Sequence, residues 1–227
     1  MPAQQRILGI SCDYHDAAAA LVVDGIVVGA AAEERFSRVK HDASLPVGAV
    51  TWLADEFDLR AEPLTAVAFY AKPFTAAHRI LTTHARAGPI SAPSLRRALS
   101  MWGRSKLWID FRVSKLLASL DVTAPAMIYA EHHQSHAASA FYPSPFDRAA
   151  IVTLDGVGEW TSASVGSGNG HRIRLLEEAV FPDSLGMFYS AMTSFCGFDV
   201  NDDEYKLMGL APYGTPRFEQ ALRDRVI

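Results

Sequence analysis

The sequence predicts an α/β fold in which one three-strand unit occurs twice. Three observations carry this. Short apolar runs alternate with stretches of helical apolar spacing. Residues 7–30 (ILGISCDYHDAAAALVVDGIVVGA) and 150–176 (AIVTLDGVGEWTSASVGSGNGHRIRLL) share one plan: an apolar strand ending in Asp, a polar turn, a strand of small residues, a Gly turn and a third strand. Two histidines four residues apart, His132 and His136, precede the second of those Asp-ending strands. Two such units facing each other set two strand-to-strand turns across one cleft. Their exposed backbone N–H groups suit phosphate oxygens.

The elements follow in order. Residues 6–12 form an apolar run bounded by polar residues, a buried strand. Residues 17–23 and 26–32 are two further strands, joined by Asp24-Gly25, whose glycine supplies the positive φ of a tight hairpin turn. Residues 45–57 have helical spacing, and 64–71 return to the sheet as a strand. The composition then shifts. Residues 72–115 hold nine Lys/Arg against one acid, Asp110, with His78, His84, Trp102 and Trp108, and Pro89 and Pro93 break them into helical pieces. This basic insert, about 72–120, reads either as a solvated peripheral appendage or as a lid over an anionic ligand.

Residues 126–130 read as a short strand and 131–141 as an Ala-rich helix. A second unit begins at 149, with strands at 149–154, 161–165 and 173–179, a turn at Gly168-Asn169-Gly170 and an amphipathic helix at 185–195. The boundary expected between the two units is therefore 148/149. Residues 217–227 form a helix with no cap and no following element, which suggests that the sequence stops partway through an architecture.

The bulk numbers narrow the function. The chain has 227 residues, 49% hydrophobic and 20% charged, as a globular protein with a real core does. A formal net charge of −4 argues against nucleic acid as the main partner. Cys12 and Cys196 form no CxxC pair, so a disulfide framework or thiolate zinc site is not expected, and a reducing compartment fits. The start lacks a signal-peptide pattern, and no run reaches the roughly 18 apolar residues of a membrane span. A cytoplasmic protein is the expectation.

The segment EHHQSHAASAFYPS carries the chemistry. His132 and His136 at i, i+4 lie on one helical face, one turn apart, so both imidazoles can reach one metal ion. His133 points about 100° away, to an outer shell or the surface. The sequence is HHQSH rather than HExxH, so the zinc-peptidase general base is missing. Asp155 is the obvious carboxylate partner, at the C-terminal end of a strand. Two His and one carboxylate suit Fe(II) or another first-row metal. Histidines that cap or line a helix without metal remain the alternative on spacing alone.

These residues resemble a known family. HHQSHAASAFYPSPF, AIVTLDGVGEWTSASV, NDDEYKLMGLAPYG and DYHDAAAALVVDGIVVGAAAEERFSRVKHD look like the O-carbamoyltransferases of the NodU and CmcH type, tobramycin carbamoyltransferase-like, over about residues 7–214. The similarity weakens across the basic insert. The resemblance implies the actin/Hsp70-like (ASKHA, ribonuclease-H-like) duplicated fold: a first subdomain plus the start of the second. It implies that carbamoyl phosphate and ATP yield a carbamoyl-adenylate in a separate YrdC-like domain, absent from these residues. The carbamoyl group then passes to a hydroxyl of a small-molecule acceptor, as in antibiotic and other natural-product biosynthesis.

The same resemblance assigns His132, His136 and Asp155 to an Fe(II) site. It puts Asp155, Gly156 and Val157 on the loop at the nucleotide phosphate, and Lys40 against the nucleotide. It makes Asp13 the acceptor-site acid and His15 the general base, where the residues alone read as a polar hairpin turn. Lys206 either meets a phosphate or pairs with Asp202 or Asp203. Gly186 either lets a helix start approach the cleft or is a turn glycine. A remaining metal ligand and most of the adenine pocket lie beyond residue 214 in longer relatives. The resemblance then implies a fragment, a truncated gene product, or one part of a split enzyme whose C-terminal half is supplied in trans, and a homodimer is a further expected assembly. Two other functions compete: a non-catalytic metal- or nucleotide-binding module, and a relative of the tRNA threonylcarbamoyl-transfer proteins.

Overall fold

In the computed structural model, which describes residues 4–104 and 106–225, the first unit is a five-stranded sheet. It contains β1 (Arg6–Ser11), β2 (Ala18–Val23), β3 (Ile26–Ala32), β4 (Ala66–Phe69) and β5 (Met127–Tyr129), in the order β3-β2-β1-β4-β5. The first three strands are antiparallel, and β4 and β5 run parallel to β1. The Asp24-Gly25 turn closes the β2–β3 hairpin with positive φ at both residues, 49° and 84°. After β3 come α1 (Glu34–Ser37), which the sequence did not disclose, and α2 (Val47–Glu56). Pro46 cannot cap α2 with a side chain. The buried Glu33 carboxylate does so instead, accepting the N–H groups of Gly48 and Ala49 at 2.9 Å each.

The basic insert is α3 (Pro73–Ala87), α4 (Ala92–Arg104) and α5 (Ile109–Ser119). The Trp102 side chain lies outside the described set. The peripheral reading fails for α5. Its Ile109, Val113, Leu116 and Leu117 are buried with Val50 and Leu53 of α2 and Leu8, Ile10 and Leu21 of the sheet. The apolar residues recur at i, i+4, i+7 and i+8, the stripe of a core-facing helix. The run of cations around them conceals that stripe.

Helix α6 (His132–Phe141) lies before the expected boundary at 148/149 but packs on the second sheet, the antiparallel β6 (Arg148–Leu154), β7 (Thr161–Asn169) and β8 (Arg172–Val180) in the order β6-β7-β8. β7 runs four residues past the expected end at 165, through Gly166 and Gly168. Those glycines are not turn residues. They face inward, and a Cβ at 168 would come within 2.5 Å of the Phe141 ring. Gly168 lets α6 lie close on the sheet, and Gly166 lets Arg174 and Leu175 of the last strand approach. Ala137, Phe141 and Ile151 form this unit's small core. The helices α7 (Leu185–Phe195), α8 (Glu204–Leu210) and α9 (Glu219–Arg225) follow, and residues 226–227 of the expected last helix lie outside the described residues. The fold is thus mixed α/β: a five-stranded sheet, antiparallel then parallel, followed by a three-stranded antiparallel sheet. Asp13 follows β1 as Asp155 follows β6.

Candidate metal centre

The site is built where α6 begins. Its N-cap, Glu131, makes no side-chain cap, so the first N–H group needs another acceptor. Glu159, buried in the turn after β6, supplies it. Its carboxylate accepts the His132 N–H at 3.1 and 3.2 Å, and the N–H of Lys72, which precedes α3, at 2.7 Å. One anion thus holds two helix starts, a favourable end for negative charge.

With α6 fixed, His132 and His136 stack one turn apart, their Nε2 atoms separated by 3.0 Å. The Asp155 Oδ2 lies 2.8 Å from His132 Nε2 and 3.7 Å from His136 Nε2. One ligating atom from each residue falls within 4.8 Å of the others. Three glycine and serine contacts make room for this. A Cβ at Gly158 would meet the His132 ring at 2.9 Å. A Cβ at Gly186, in the first turn of α7, would collide with the Asp155 carbonyl, so Gly186 serves a close approach and is not a turn residue. Ser184 caps α7 by accepting the Met187 N–H at 3.0 Å and donates to the Gly156 carbonyl at 2.6 Å. The Asp155 loop is therefore clamped by the next helix.

Electrostatics favour an ionised Asp155. Burial opposes its charge, but hydrogen bonds from His132 and His136 and the Gly156 N–H hold its carboxyl well below the usual carboxylate range. His133 is not on the surface. It is buried, its Nδ1 lies 2.6 Å from Thr153 Oγ1, and burial pushes its pKa down, toward the neutral ring.

His132, His136 and Asp155 line a cavity of about 460 Å³ with Val157, Gly158 and Glu159, with Tyr14 and His15, and with Arg79, Ile80 and Lys106 of the insert. The insert therefore reaches the cavity. It is held there by Lys72 on Glu159, by the His78 ring 6.0 Å from that of Trp160, and by Arg112, which donates to Asp13 at 2.6 Å.

The remaining sequence-predicted residues separate into two groups. Asp155, Val157 and His15 line the cavity, while the Gly156 N–H is turned onto Asp155 Oδ1 at 2.7 Å. Asp13 does not touch His15. Its carboxylate is committed to Arg112, and the carboxylate on His15 Nδ1 is Asp16, at 2.7 Å. Asp16 also holds His41 Nδ1 at 2.9 Å. Lys40 is exposed and lies 3.8 Å from Asp202. Lys206 pairs locally with Asp203 at 2.6 Å. Asp13, Asp16, Arg38, His41 and Asn201 all have positive φ, so the corner where these segments meet carries backbone strain of the kind found at functional sites. Sequence reasoning did not single out Glu159, Arg112 or Asp16. A second acid inside the small-residue turn DGVGEW was the available signal for Glu159. Arg112 lies 99 residues from its partner and left none.

A sequence model described as "Carbamoyltransferase N-terminus" matches residues 6–225. The chain belongs to this carbamoyltransferase family. An uncharacterised protein of Synechocystis sp. is 46% identical over 98% of this chain and 37% of its own length. The nodulation protein NolNO of Sinorhizobium fredii is 35% identical over 89% of this chain and 28% of its own. The chain thus spans about a third of the length of these curated relatives. Among solved structures, YeaZ from Pseudomonas aeruginosa aligns with a TM-score of 0.38 at 16% identity, covering 79% of this chain and 68% of that one. In this carbamoyltransferase N-terminal region no described helix is long and apolar enough to cross a membrane.

Proposed function

We propose that this chain is the metal-binding, carbamoyl-transferring part of an O-carbamoyltransferase acting on a small-molecule alcohol in the cytoplasm. The carbamoyl group comes from carbamoyl phosphate and ATP by way of carbamoyl-adenylate. The observation that carries this reading is the convergence of His132, His136, Asp155 and His15 on one cavity in a chain of this family. Two imidazoles and a carboxylate fit Fe(II). When bound, such a metal supplies Lewis acidity toward a carbonyl or phosphoryl oxygen.

The chain's own residues do the rest. His15 is held by Asp16 through Nδ1, which leaves Nε2 to take the proton of the acceptor hydroxyl. The alcohol oxygen then bonds to the carbamoyl carbon, and the bond from that carbon to the phosphate oxygen breaks. AMP leaves with the electron pair. The Arg112 ion pair holds the Asp13 carboxylate at the edge of the acceptor side. The wall of Tyr70, Phe69 and Ile80 limits water at the reacting carbon.

The test is carbamoyl transfer with Fe(II), carbamoyl phosphate and ATP, with the remaining region of a long relative supplied in trans. Carbamoylated alcohol detected by mass spectrometry, and lost in His15→Ala, is expected. No product with any alcohol, while carbamoyl-adenylate accumulates, contradicts the proposal.

A further inference from the structure

We propose that His41 is a positioning residue for His15: the two imidazoles share the carboxylate of Asp16, and His41 holds that carboxylate so that His15 keeps Nε2 free to accept a proton. Naming His15 as a general base rests on the carbamoyl-transfer reading; the arrangement of the three side chains does not. His15 Nδ1 lies 2.7 Å from Asp16 Oδ2, and His41 Nδ1 lies 2.9 Å from Asp16 Oδ1. Each carboxylate oxygen thus serves one ring. An ionised carboxylate can only accept, so each Nδ1 carries the hydrogen of its bond. In a neutral ring, a proton on Nδ1 leaves Nε2 as an acceptor. His15 lines the cavity together with His132 and His136.

The backbone places both ends of this bridge. Asp16 and His41 sit at positive φ, 50° and 54°. Few residues other than glycine adopt that conformation, and Asp and His adopt it more readily than most. The two segments are clamped beside the bridge. The Asp13 N–H donates to the Ala43 carbonyl and the Ala17 N–H to the Asp42 carbonyl, each at 2.7 Å. The His41 N–H donates to the Glu34 carboxylate at 3.3 Å, and its Nε2 stands 3.6 Å from an Asp202 carboxylate oxygen. His41 is therefore engaged through its backbone and through both ring nitrogens.

The hydrogen bond from His41 is the largest influence holding the Asp16 carboxyl below its ordinary value; burial opposes it, and the bond from His15 adds to it. All three side chains are about half exposed, so these pairs add little to stability. What they fix is an orientation. Without His41, one oxygen of Asp16 is released and the carboxylate is free to turn. His15 then loses its fixed acceptor and returns to the Nε2–H tautomer that an unconstrained imidazole favours. In that tautomer Nε2 cannot take the proton of a hydroxyl.

The test reads the tautomer directly, without substrate or metal. The intact chain is labelled at its histidine nitrogens, and long-range proton–nitrogen correlation spectra are taken at about pH 8, above the ordinary histidine value of about 6.5. His15→Gln assigns the His15 signals by their loss. His41→Gly removes the ring, and His41→Asn keeps a side-chain N–H; glycine and asparagine both accept the positive φ of this position. Asp16→Gly removes the shared carboxylate. Thermal melts confirm folding, and His41→Ala takes the place of His41→Gly should glycine loosen the segment.

The expected result is a His15 ring predominantly Nδ1–H in the unaltered chain and in His41→Asn. It becomes predominantly Nε2–H in His41→Gly and in Asp16→Gly. A predominantly Nε2–H ring in the unaltered chain, or an Nδ1–H ring that persists in His41→Gly, overturns the proposal. So does His41→Asn behaving as His41→Gly, because the position then acts otherwise than by donating to Asp16. Because the tautomer is read without turnover, failure of carbamoyl transfer leaves this test intact.

Discussion

Asp13 and Asp155 follow corresponding strands, β1 and β6, of a repeated unit, yet their surroundings differ. Asp13 is paired with a guanidinium, Arg112, which comes from the insert. Asp155 faces two imidazoles from α6 and is hydrogen-bonded by its own loop. The same backbone device thus places a carboxylate at each side of the cavity. What packs beside it decides the chemistry. A permanent cation pairs with one carboxylate, and two imidazoles stand beside the other, a donor set suited to a metal.

The contrast extends to packing. The first sheet buries Leu8, Leu21, Leu53 and Leu117 completely, whereas in the second sheet Val152 and Leu154 each keep 63% of their surface in water. Leu117→Ala is expected to cost about 2–5 kcal/mol in a denaturant melt, the range for a large cavity-forming change in a core. Val152→Ala should stay within about 0.5 kcal/mol. Similar losses at the two positions would erase the distinction between the units.

Asp13→Asn leaves Arg112 without its anion. The cost should be roughly 2–3 kcal/mol, below that of stranding a fully buried charge because a quarter of the Arg112 side chain stays exposed. Arg112→Met in the same background should recover part of it. Glu159→Gln weakens the hold on the starts of α3 and α6 and should cost about 1–2 kcal/mol, measured by the same melts. A neutral outcome would mean that the charge on Glu159 contributes nothing to either helix.

His133 gives a pH effect whose sign can be worked out. Its folded-state pKa is depressed by burial, so the unfolded chain binds the extra proton first. Stability from the neutral ring is present above the ordinary histidine value of about 6.5 and falls as pH drops below it. Thr153→Val removes the hydroxyl beside Nδ1 and should alter the slope of stability between about pH 6.5 and 5. The smallest effect is chemical. Burial and the neighbouring Asp13 push the Cys12 thiol up to about 12, and Cys196 is exposed. Iodoacetamide should therefore label Cys196 and spare Cys12 until the protein unfolds.

Local patterns in the sequence disclosed most of this architecture. The i, i+4 pair His132/His136, the Asp24-Gly25 hairpin and α7 at 185–195 depend on spacing or turn chemistry within a few residues, and the structure has each element there. Gly168 misled because a glycine makes both turns and close contacts, and only the Phe141 ring against the sheet distinguishes them. α5 was hidden because its buried stripe shares a helix with Arg112 and Lys115. The Asp13–Arg112 and Asp16–His15–His41 contacts were illegible for a plainer reason: a side chain's partner across a fold is not written in its neighbours. In DYHD the acid that meets His15 is the following residue, not the one two before it.

The central claim is that the duplicated turns have divided their roles, with metal binding confined to the second. Titration with Co(II), followed by its visible ligand-field absorption, tests this most directly. The unaltered chain and Asp13→Asn should each bind one equivalent with the same spectrum. Asp155→Asn and His132→Ala/His136→Ala should lose affinity by more than the roughly 10–100-fold that removal of an outer partner costs. Equal Co(II) binding by Asp155→Asn and the unaltered chain would contradict the account.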